Sequence, residues 1–294
     1  MSATTISDVA VSTYERTVRH VAQQSPVRLL PWVAVRGEES KDHNWEIMGK
    51  AEAVTKTQRM ATSATESNSG SGTPWLRRRS TPITKAVSDT VDRMDEVKML
   101  VDPKSNYAKA HGMAMRREYD TEIIRAATSD NSVDGSGANV AMPAGQQIGG
   151  DGIPFSFDLV TETSEIFMGN DVDPDEEKVF VIGPKQARKI LQLTEATSGD
   201  YNAMKPLTAK GYVESWMGYT WIVSTLLGVD GDNVKRCFAM TRSALGFNIN
   251  DNIWAQVAQD PSLSFAWRIY CESTFGAVRV EDAHIVHVDV EDTV

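Results

Sequence analysis

The stretch DPKSNYAKAHGMAMRREYDTEIIRAA, residues 102–127, predicts one long helix. Asp102 is a suitable N-cap, and Pro103 follows at the first helical position, where its missing N–H costs nothing. Apolar residues behind it keep rough helical spacing. The stripe is interrupted by charged residues, namely Arg116, Arg117 and Asp120. We therefore expect a strut that packs on one side against its own domain and faces solvent or a neighbouring molecule elsewhere.

Composition excludes several classes of protein. The chain has 294 residues, 41% hydrophobic and 24% charged, which is ordinary for a soluble protein with a real core. A formal net charge of −10 argues against a nucleic-acid-binding role for the protein as a whole. Cys237 and Cys271 lack the spacing of a zinc site or a disulfide framework. With no membrane-spanning run and no signal peptide at the N-terminus, we expect a cytosol-like compartment and no membrane partner.

Before the helix, residues 31–86 predict a long extended hairpin with little core of its own. Trp32 and Val35 open one arm, the polar stretch 55–73 forms a mobile tip, and Trp75 begins the returning strand. A hairpin of this kind is only marginally stable alone, so we expect it to lie on another surface.

The returning strand carries three consecutive arginines, Arg77, Arg78 and Arg79. Without interleaved aromatic residues or a basic helix, they are a weak signal for nucleic-acid binding. Because the rest of the protein is acidic, pairing with carboxylates of a neighbouring chain is at least as good an interpretation.

The remaining chain predicts helices and strands in a definite order. The first 30 residues predict an amphipathic helix, either packed on its own domain or forming an arm that crosses to another subunit, and Val87 to Val101 predict a second one. Residues 129–154 predict a loop or linker. Residues 156–261 alternate helix and strand, and residues 265–290 predict two strands that form a hairpin with one valine face.

The sequence offers little chemistry. The acidic cluster that begins at Asp171 has Glu176 where a calcium loop needs glycine, and the cluster at Asp230 lacks the final glutamate, so both are interpreted as turns and solvated faces. His284 and His287 are predicted to face opposite sides of a strand, which makes them a poor metal pair. We find no phosphate-binding loop, nucleophile elbow or zinc-helix motif. A Cys–His pair brought together by the fold stays open, but we expect no cofactor, metal or catalytic site.

Four stretches resemble, in the same order, parts of the major capsid proteins of tailed bacteriophages with the Hong Kong 97-type fold. They are Met94–Pro103 leading into Tyr107 and Ala108, Val181–Leu191, Trp216–Ser224 after Gly211, and Arg268–Val280. The resemblance implies an α+β Hong Kong 97-like capsid fold with an N-terminal arm, an extended hairpin called the E-loop, a peripheral domain with a long spine helix, and an axial α/β domain. The implied boundaries are 1–30 for the arm, 31–86 for the E-loop, 87–155 for the peripheral domain with its spine helix at 103–127, 156–261 for the axial domain, and 262–294 for the return strands of the peripheral domain.

The same resemblance implies a structural protein, not an enzyme, that assembles into an icosahedral shell around double-stranded phage DNA. It implies a procapsid that expands on maturation, with location in the virion capsid and, during assembly, in the host cytoplasm. The implied partners are further copies of the chain in hexamers and pentamers, a scaffolding protein, a portal, a decoration protein where one exists, and packaged DNA bound without sequence specificity. Many weak contacts per subunit suit such a shell, because errors can dissociate while multivalency preserves the closed assembly.

Two alternatives remain open: a shell protein of a cellular encapsulin-like nanocompartment, and an enzyme whose site is assembled from distant residues. For the shell, the candidate inter-subunit contacts are aromatic or charged, namely Trp75, Arg77, Arg78, Arg79, Arg116, Arg117, Asp173, Glu176 and Glu177.

Overall fold

The computed structural model describes residues 24, 26–37, 39–51, 53, 73–92, 94, 103–193, 214–229 and 233–292. Its helices are α1 Pro103–Thr128, α2 Phe157–Gly169 and α3 Pro184–Gln192. Its strands are β1 Ala34–Gly37, β2 His43–Met48, β3 Trp75–Ser80, β4 Ile83–Val91, β5 Asn131–Val133, β6 Asn139–Ala141, β7 Gln147–Gly149, β8 Lys178–Ile182, β9 Ser215–Trp216, β10 Tyr219–Val223, β11 Val234–Thr241, β12 Leu245–Asp260, β13 Ala266–Arg279 and β14 Ile285–Glu291. The apolar positions of the predicted N-terminal helix, the helix cap Asp102 and most of the polar tip lie outside the described residues.

The chain divides into two compact units. The smaller includes Lys85–Arg117 and Ile253–Ser273, and the larger comprises Val27–Thr84, Glu118–Asn252 and Thr274–Val294. α1, β12 and β13 each contribute residues to both units. The five-part division implied by the resemblance stays a prediction.

A six-stranded sheet forms the core of the larger unit, in the order β7-β14-β11-β8-β10-β9. β8 lies parallel to β10 and antiparallel to β11, which in turn pairs antiparallel with β14. All four apolar residues of β8, Val179–Ile182, are fully buried. A continuous apolar run of this kind is typical of a strand covered on both faces. α2 buries the stripe Leu159, Val160, Thr163 and Phe167.

A second sheet has the order β1-β12-β13-β4, with β1 parallel to β12. In the larger unit the Tyr119 ring of α1 lies 4.6 Å from the ring of Phe275 on β13 and 5.5 Å from that of Phe247 on β12, centroid to centroid. In the smaller unit, His111 of α1 pairs with Asp89 of β4 at 2.8 Å. Each half of α1 is therefore tied to strands of its own unit.

The long helix has the predicted position, and its two halves differ in burial. From Lys104 to Ala110, half-buried and exposed residues alternate, as expected for a strut. From Tyr119 to Ala127 most residues are buried, including Ile123. The second half of α1 is therefore a core helix. The prediction that one side of the helix faces solvent or a neighbouring molecule is wrong for this half.

The predicted hairpin at 265–290 is also wrong. β13 and β14 flank the turn at Asp282–His284, but β13 lies in the four-stranded sheet and β14 in the six-stranded sheet. β14 lies between β11 and β7. Side chains on both faces of the strand are buried: Ile285 and His287 on one face, and Val286 and Val288 on the other. The valine alternation therefore does not mark one buried and one solvated face.

Two further predictions need correction. Val87 and Val91, assigned to an amphipathic helix, lie on strand β4, where they share one face because the strand period is two. The predicted linker at 129–154 contains the short strands β5, β6 and β7. Gly149 makes β7 possible, since its φ is +82° and any Cβ there would collide with the Asp289 carbonyl oxygen.

Candidate functional site

The hairpin predicted around the triple arginine is present, with β2 and β3 paired antiparallel. Adjacent residues of a strand point to opposite faces, so the three arginines separate. Arg78 lies opposite Trp45 and both are buried, whereas Arg77 lies opposite Glu46 on the other face. The side chains of the three arginines thus lie in different environments and do not form one basic patch.

Trp45 fixes the base of the hairpin. Its indole lies on the backbone of Gly246 in β12, where an added Cβ would overlap the ring. His43 contacts the same indole edge-on, with ring centroids 4.9 Å apart. We expect Gly246→Val to loosen the hairpin from the sheet, because the valine side chain takes the space of the indole.

The Arg78 guanidinium is part of a buried ion network centred on the Asp282 carboxylate. The Arg78 Nη2 donates to one oxygen of that carboxylate at 2.9 Å, and the Arg279 Nε donates to the other at 2.6 Å. Arg279 is 1% exposed, and its Nη1 also donates to the Ser129 carbonyl at 2.5 Å. Both guanidinium groups therefore depend on one carboxylate of the same chain, which leaves little reason to assign Arg78 to a neighbouring subunit.

Arg77 and Arg79 share the opposite face but differ in charge compensation. Arg77 pairs with Glu46 at 2.5 Å, and both side chains are about half exposed. Arg79 has no acidic partner among the residues that the structure describes, and its Nε is buried without a hydrogen bond there. Its guanidinium lies against Gly137, in the turn between β5 and β6. Among the residues that the structure describes, Arg77 and Arg78 have carboxylate partners and Arg79 has none.

The outer end of the hairpin is apolar and exposed. Trp75 is 67% exposed, Met48 opposite it is 59% exposed, and Leu76 is 55% exposed. A cleft of 730 Å³ lies beside this end, lined in part by Trp75, Leu76 and Ser136. Large apolar side chains grouped in this way usually mark a contact surface.

Two of the three charged residues that interrupt the apolar stripe of α1 remain candidates for contacts with a neighbouring subunit, and the third does not. Arg116 is exposed and Arg117 half-buried. Asp120, expected as an interruption of the apolar stripe to face solvent or a neighbouring molecule, is 2% exposed. Its carboxylate accepts hydrogen bonds from the backbone N–H groups of Arg28 and Leu29 at 3.0 and 3.1 Å. That prediction is therefore wrong for Asp120, which anchors the N-terminal segment of its own chain.

The acidic candidates belong to the loop Asp171–Glu177, between α2 and β8. Asp173 and Glu177 are exposed, whereas Glu176 is half-buried and accepts a hydrogen bond from Ser243 at 3.2 Å. The Lys178 amine holds the loop from within by donating to three of its backbone carbonyls. The loop is therefore fixed in shape while most of its carboxylates point to solvent.

One polar cluster bears on the enzyme alternative. Ser243 lies 2.9 Å from the His284 Nδ1, and Thr241 lies 2.8 Å from the same nitrogen. Glu281 is 3.7 Å from the Nε2, beyond hydrogen-bond distance. Glu176 lies 3.5 Å from the Nδ1, so two hydroxyl groups and a carboxylate share one ring nitrogen. Neither hydroxyl has the ring to itself as a general base, so the arrangement is that of a structural contact between loops. Sequence reasoning missed this cluster because its members are far apart in the chain.

In the described part of the chain, no three acidic, histidine or cysteine side chains are grouped so that they could hold a metal ion. No described helix is both long and apolar enough to cross a bilayer. The candidate contact residues therefore lie on three surfaces, those of the hairpin, the loop Asp171–Glu177 and α1.

The family of phage capsid proteins matches residues 6–292, nearly the whole chain. This chain belongs to that family. No curated protein matches it. Its role is structural, in the shell of the virion, where copies assemble into capsomers.

Solved capsid structures agree in fold. A structure from Mycobacterium phage Che8 is 15% identical, with 95% of this chain and 96% of that chain covered and a TM-score of 0.74. The capsid of Cyanophage P-SCSP1u is 13% identical, with 99% and 96% covered and a TM-score of 0.77. The capsid of Ralstonia phage GP4 is 11% identical, with 100% and 99% covered and a TM-score of 0.72. The resemblance to major capsid proteins and the Hong Kong 97-like fold are confirmed, and the nanocompartment alternative is not favoured.

Proposed function

We propose that this capsid protein assembles, with a scaffolding protein, into an icosahedral procapsid that encloses double-stranded DNA and expands during packaging. Its copies form hexamers and pentamers, joined by a portal and, where one exists, a decoration protein. Assembly takes place in the host cytoplasm. The predicted arm, E-loop, peripheral domain and axial domain are the parts that move or make contacts.

The observation that carries the proposal is the hairpin β2–β3. Its base is fixed by the buried Trp45 and Arg78, whereas its outer end exposes Met48, Trp75 and Leu76. Full burial of a large apolar side chain stabilises the buried state by roughly 1.5–3 kcal/mol. A hairpin that is rigid at the base and apolar at the end supports docking on a neighbouring copy.

The charge of the chain supports enclosure of DNA without specific binding. A net charge of −10 repels the phosphate backbone, so packaged DNA can slide along the wall instead of sticking to it.

The decisive experiment is expression of the chain with and without its scaffolding partner, followed by size-exclusion chromatography and negative-stain microscopy. Closed shells are expected when the scaffold is present. Small monomers under every condition would contradict the proposal, and shells that contain co-purified protein in place of DNA would instead support a nanocompartment.

We expect Arg79→Glu to lower the yield of shells about tenfold or more while the subunit stays folded. The half-buried Arg79 guanidinium lacks a carboxylate partner among the described residues, and a charge-assisted hydrogen bond to a neighbour is worth about 1.5–3 kcal/mol. Sedimentation of assembled particles measures the yield, and circular dichroism checks the fold.

Arg77→Glu is the matched control, on the same strand and the same face. Because Arg77 already pairs with Glu46, we expect a much smaller loss of shells. Equal yields from the two variants would refute a special role for Arg79. Replacing all three arginines together is uninformative, since loss of Arg78 would disrupt the fold itself.

A further inference from the structure

The acidic loop, defined as Asp171–Glu177, carries five carboxylates in seven residues. Lys50 donates to the Asp171 carboxylate at 2.5 Å and lowers its pKa, and Glu176 is occupied by Ser243. The carboxylates of Asp175 and Glu177 are exposed and have no cationic partner among the described residues.

The acidic loop is also preorganised. Asp171 lies in the left-handed region with φ of +59°, and the side chain of Val172 is buried, which fixes the loop to its unit. The Lys178 amine donates to the carbonyls of Asp173, Pro174 and Glu176 at 2.9, 3.1 and 3.2 Å. A partner therefore meets carboxylates whose backbone needs little further ordering.

A second charged surface lies on α3. Its buried side chains, Gln186 and Ile190, are four residues apart and hold the helix against its unit. Lys185, Arg188 and Lys189 fall on another face at helical spacing, and we call these three residues the basic face. The helix contains no acidic residue that could neutralise them.

The basic face is only partly compensated by its own chain. Lys185 donates to the Asp292 backbone at 2.6 Å and lies 3.2 Å from its carboxylate. Arg188 and Lys189 have no ion pair among the residues that the structure describes. Together with Gln192, the three cations line a small hollow of 140 Å³, which can admit side chains but not a large ligand.

The two surfaces lie on either side of strand β8 in the chain. The acidic loop ends at Glu177, directly before the strand, and the helix begins at Pro184, directly after Gly183. Five residues of strand span about 16 Å. No ion pair in the described part of the chain joins the loop to the helix, so within that part the two surfaces do not neutralise each other.

We propose that the acidic loop of one capsid subunit binds the basic face of the next subunit within a ring. This inference rests on the proposed function and names one of the contacts it needs. Because the two surfaces differ, the contact is head-to-tail, and such contacts close into rings when the rotation per subunit divides the circle.

The charges of the acidic loop and the basic face favour a second copy of the chain as the binding partner. It brings both halves of the contact, whereas a nucleic acid could match only the basic face and would be repelled by the acidic loop. Each exposed ion pair contributes little by itself, which suits an interface that must correct errors during assembly and gains strength by repetition.

Charge reversal and rescue test the pairing directly. The loop variant is Asp175→Lys with Glu177→Lys, and the helix variant is Arg188→Glu with Lys189→Glu. None of these four side chains forms an ion pair with another described residue, so we expect both variants to fold. Each variant alone is expected to lower the yield of capsomers and shells about tenfold, since like charges then face each other across the interface. The combined four-residue variant is expected to recover most of the wild-type yield, because the ion pairs re-form with opposite polarity.

Glu162→Lys with Glu165→Lys, on exposed positions of α2, changes the net charge by as much as the loop variant does and is its matched control. Wild-type yield is expected from it, and circular dichroism confirms the fold of every variant. Unchanged assembly of both single-surface variants, or failure of the combined variant to recover, would overturn the pairing. If the helix variant lost packaged DNA but kept its shells, the basic face would be a nucleic-acid contact and the pairing would again be wrong. A wild-type chain that forms no shells with its scaffold refutes the proposed function instead.

Discussion

Asp282→Ala is expected to destabilise the larger unit by about 3–5 kcal/mol, because it removes one partner from a buried ion network. Asp282 accepts from Arg279, which is fully buried, and from Arg78, which is nearly so. Both guanidinium groups remain charged, so each would stay desolvated without a counter-charge. A loss of this size is a large fraction of the total stability of a domain.

Urea unfolding of the unassembled subunit, followed by circular dichroism, measures the effect. Glu46→Ala is the control, since it also removes the carboxylate of an arginine pair on the same hairpin, but at the surface. There the expected loss is at most about 1 kcal/mol. Similar shifts in the two unfolding midpoints would show that burial does not set the strength of the Asp282 network.

The stability of the larger unit is also expected to fall as the pH drops from neutral, through His287. The ring is completely buried on β14, and its Nε2 donates to the Ala127 carbonyl at 2.6 Å. Burial lowers the pKa of His287 from 6.5 to about 4; the bond to Ala127 opposes this shift, and the nearby Arg236 and Arg279 reinforce it, with Asp289 opposing.

The sign follows from proton binding. Between pH 6.5 and 4 the unfolded chain binds a proton at His287 and the folded chain does not, so stability rises with pH in this window. The contribution is complete above pH 6.5 and is lost progressively as the pH falls toward 4. Between pH 7 and pH 5 the loss amounts to about 2 kcal/mol.

His287→Gln isolates this contribution, because a glutamine amide can still donate to the Ala127 carbonyl but does not titrate. Unfolding free energies at pH 7 and pH 5 are compared for the wild type and the variant. The variant is expected to lose about 2 kcal/mol less on acidification. An identical pH slope in the His287 variant would rule out a neutral buried imidazole.

Much of the fold could be predicted from local patterns. The Pro103 start of the spine helix, the β2–β3 hairpin and the helix–strand alternation after Phe157 all follow from periodicity and turn residues. Alternation along β3 already implies that Arg78 faces away from Arg77 and Arg79. Which face is buried could not be predicted, since it depends on Asp282, 204 residues further along the chain.

The errors share this physical origin. The turn before Ile285 has the same residues whether its two strands pair or diverge into separate sheets. The partners of β14 are β11 and β7, and no local signal identifies them. Asp120 resembles a solvated carboxylate in sequence, because its partners are backbone N–H groups, which every residue except proline carries.

The two cysteines bear on how the capsid protein responds to oxidants. Cys237 is fully buried and Cys271 nearly so, and both are free thiols. Burial raises the pKa of Cys237 to about 12 and raises that of Cys271 as well, so neither forms the reactive thiolate at neutral pH. Neither thiol is therefore a ready starting point for oxidation to sulfenic acid, so the capsid protein keeps both cysteines reduced without the help of a disulfide.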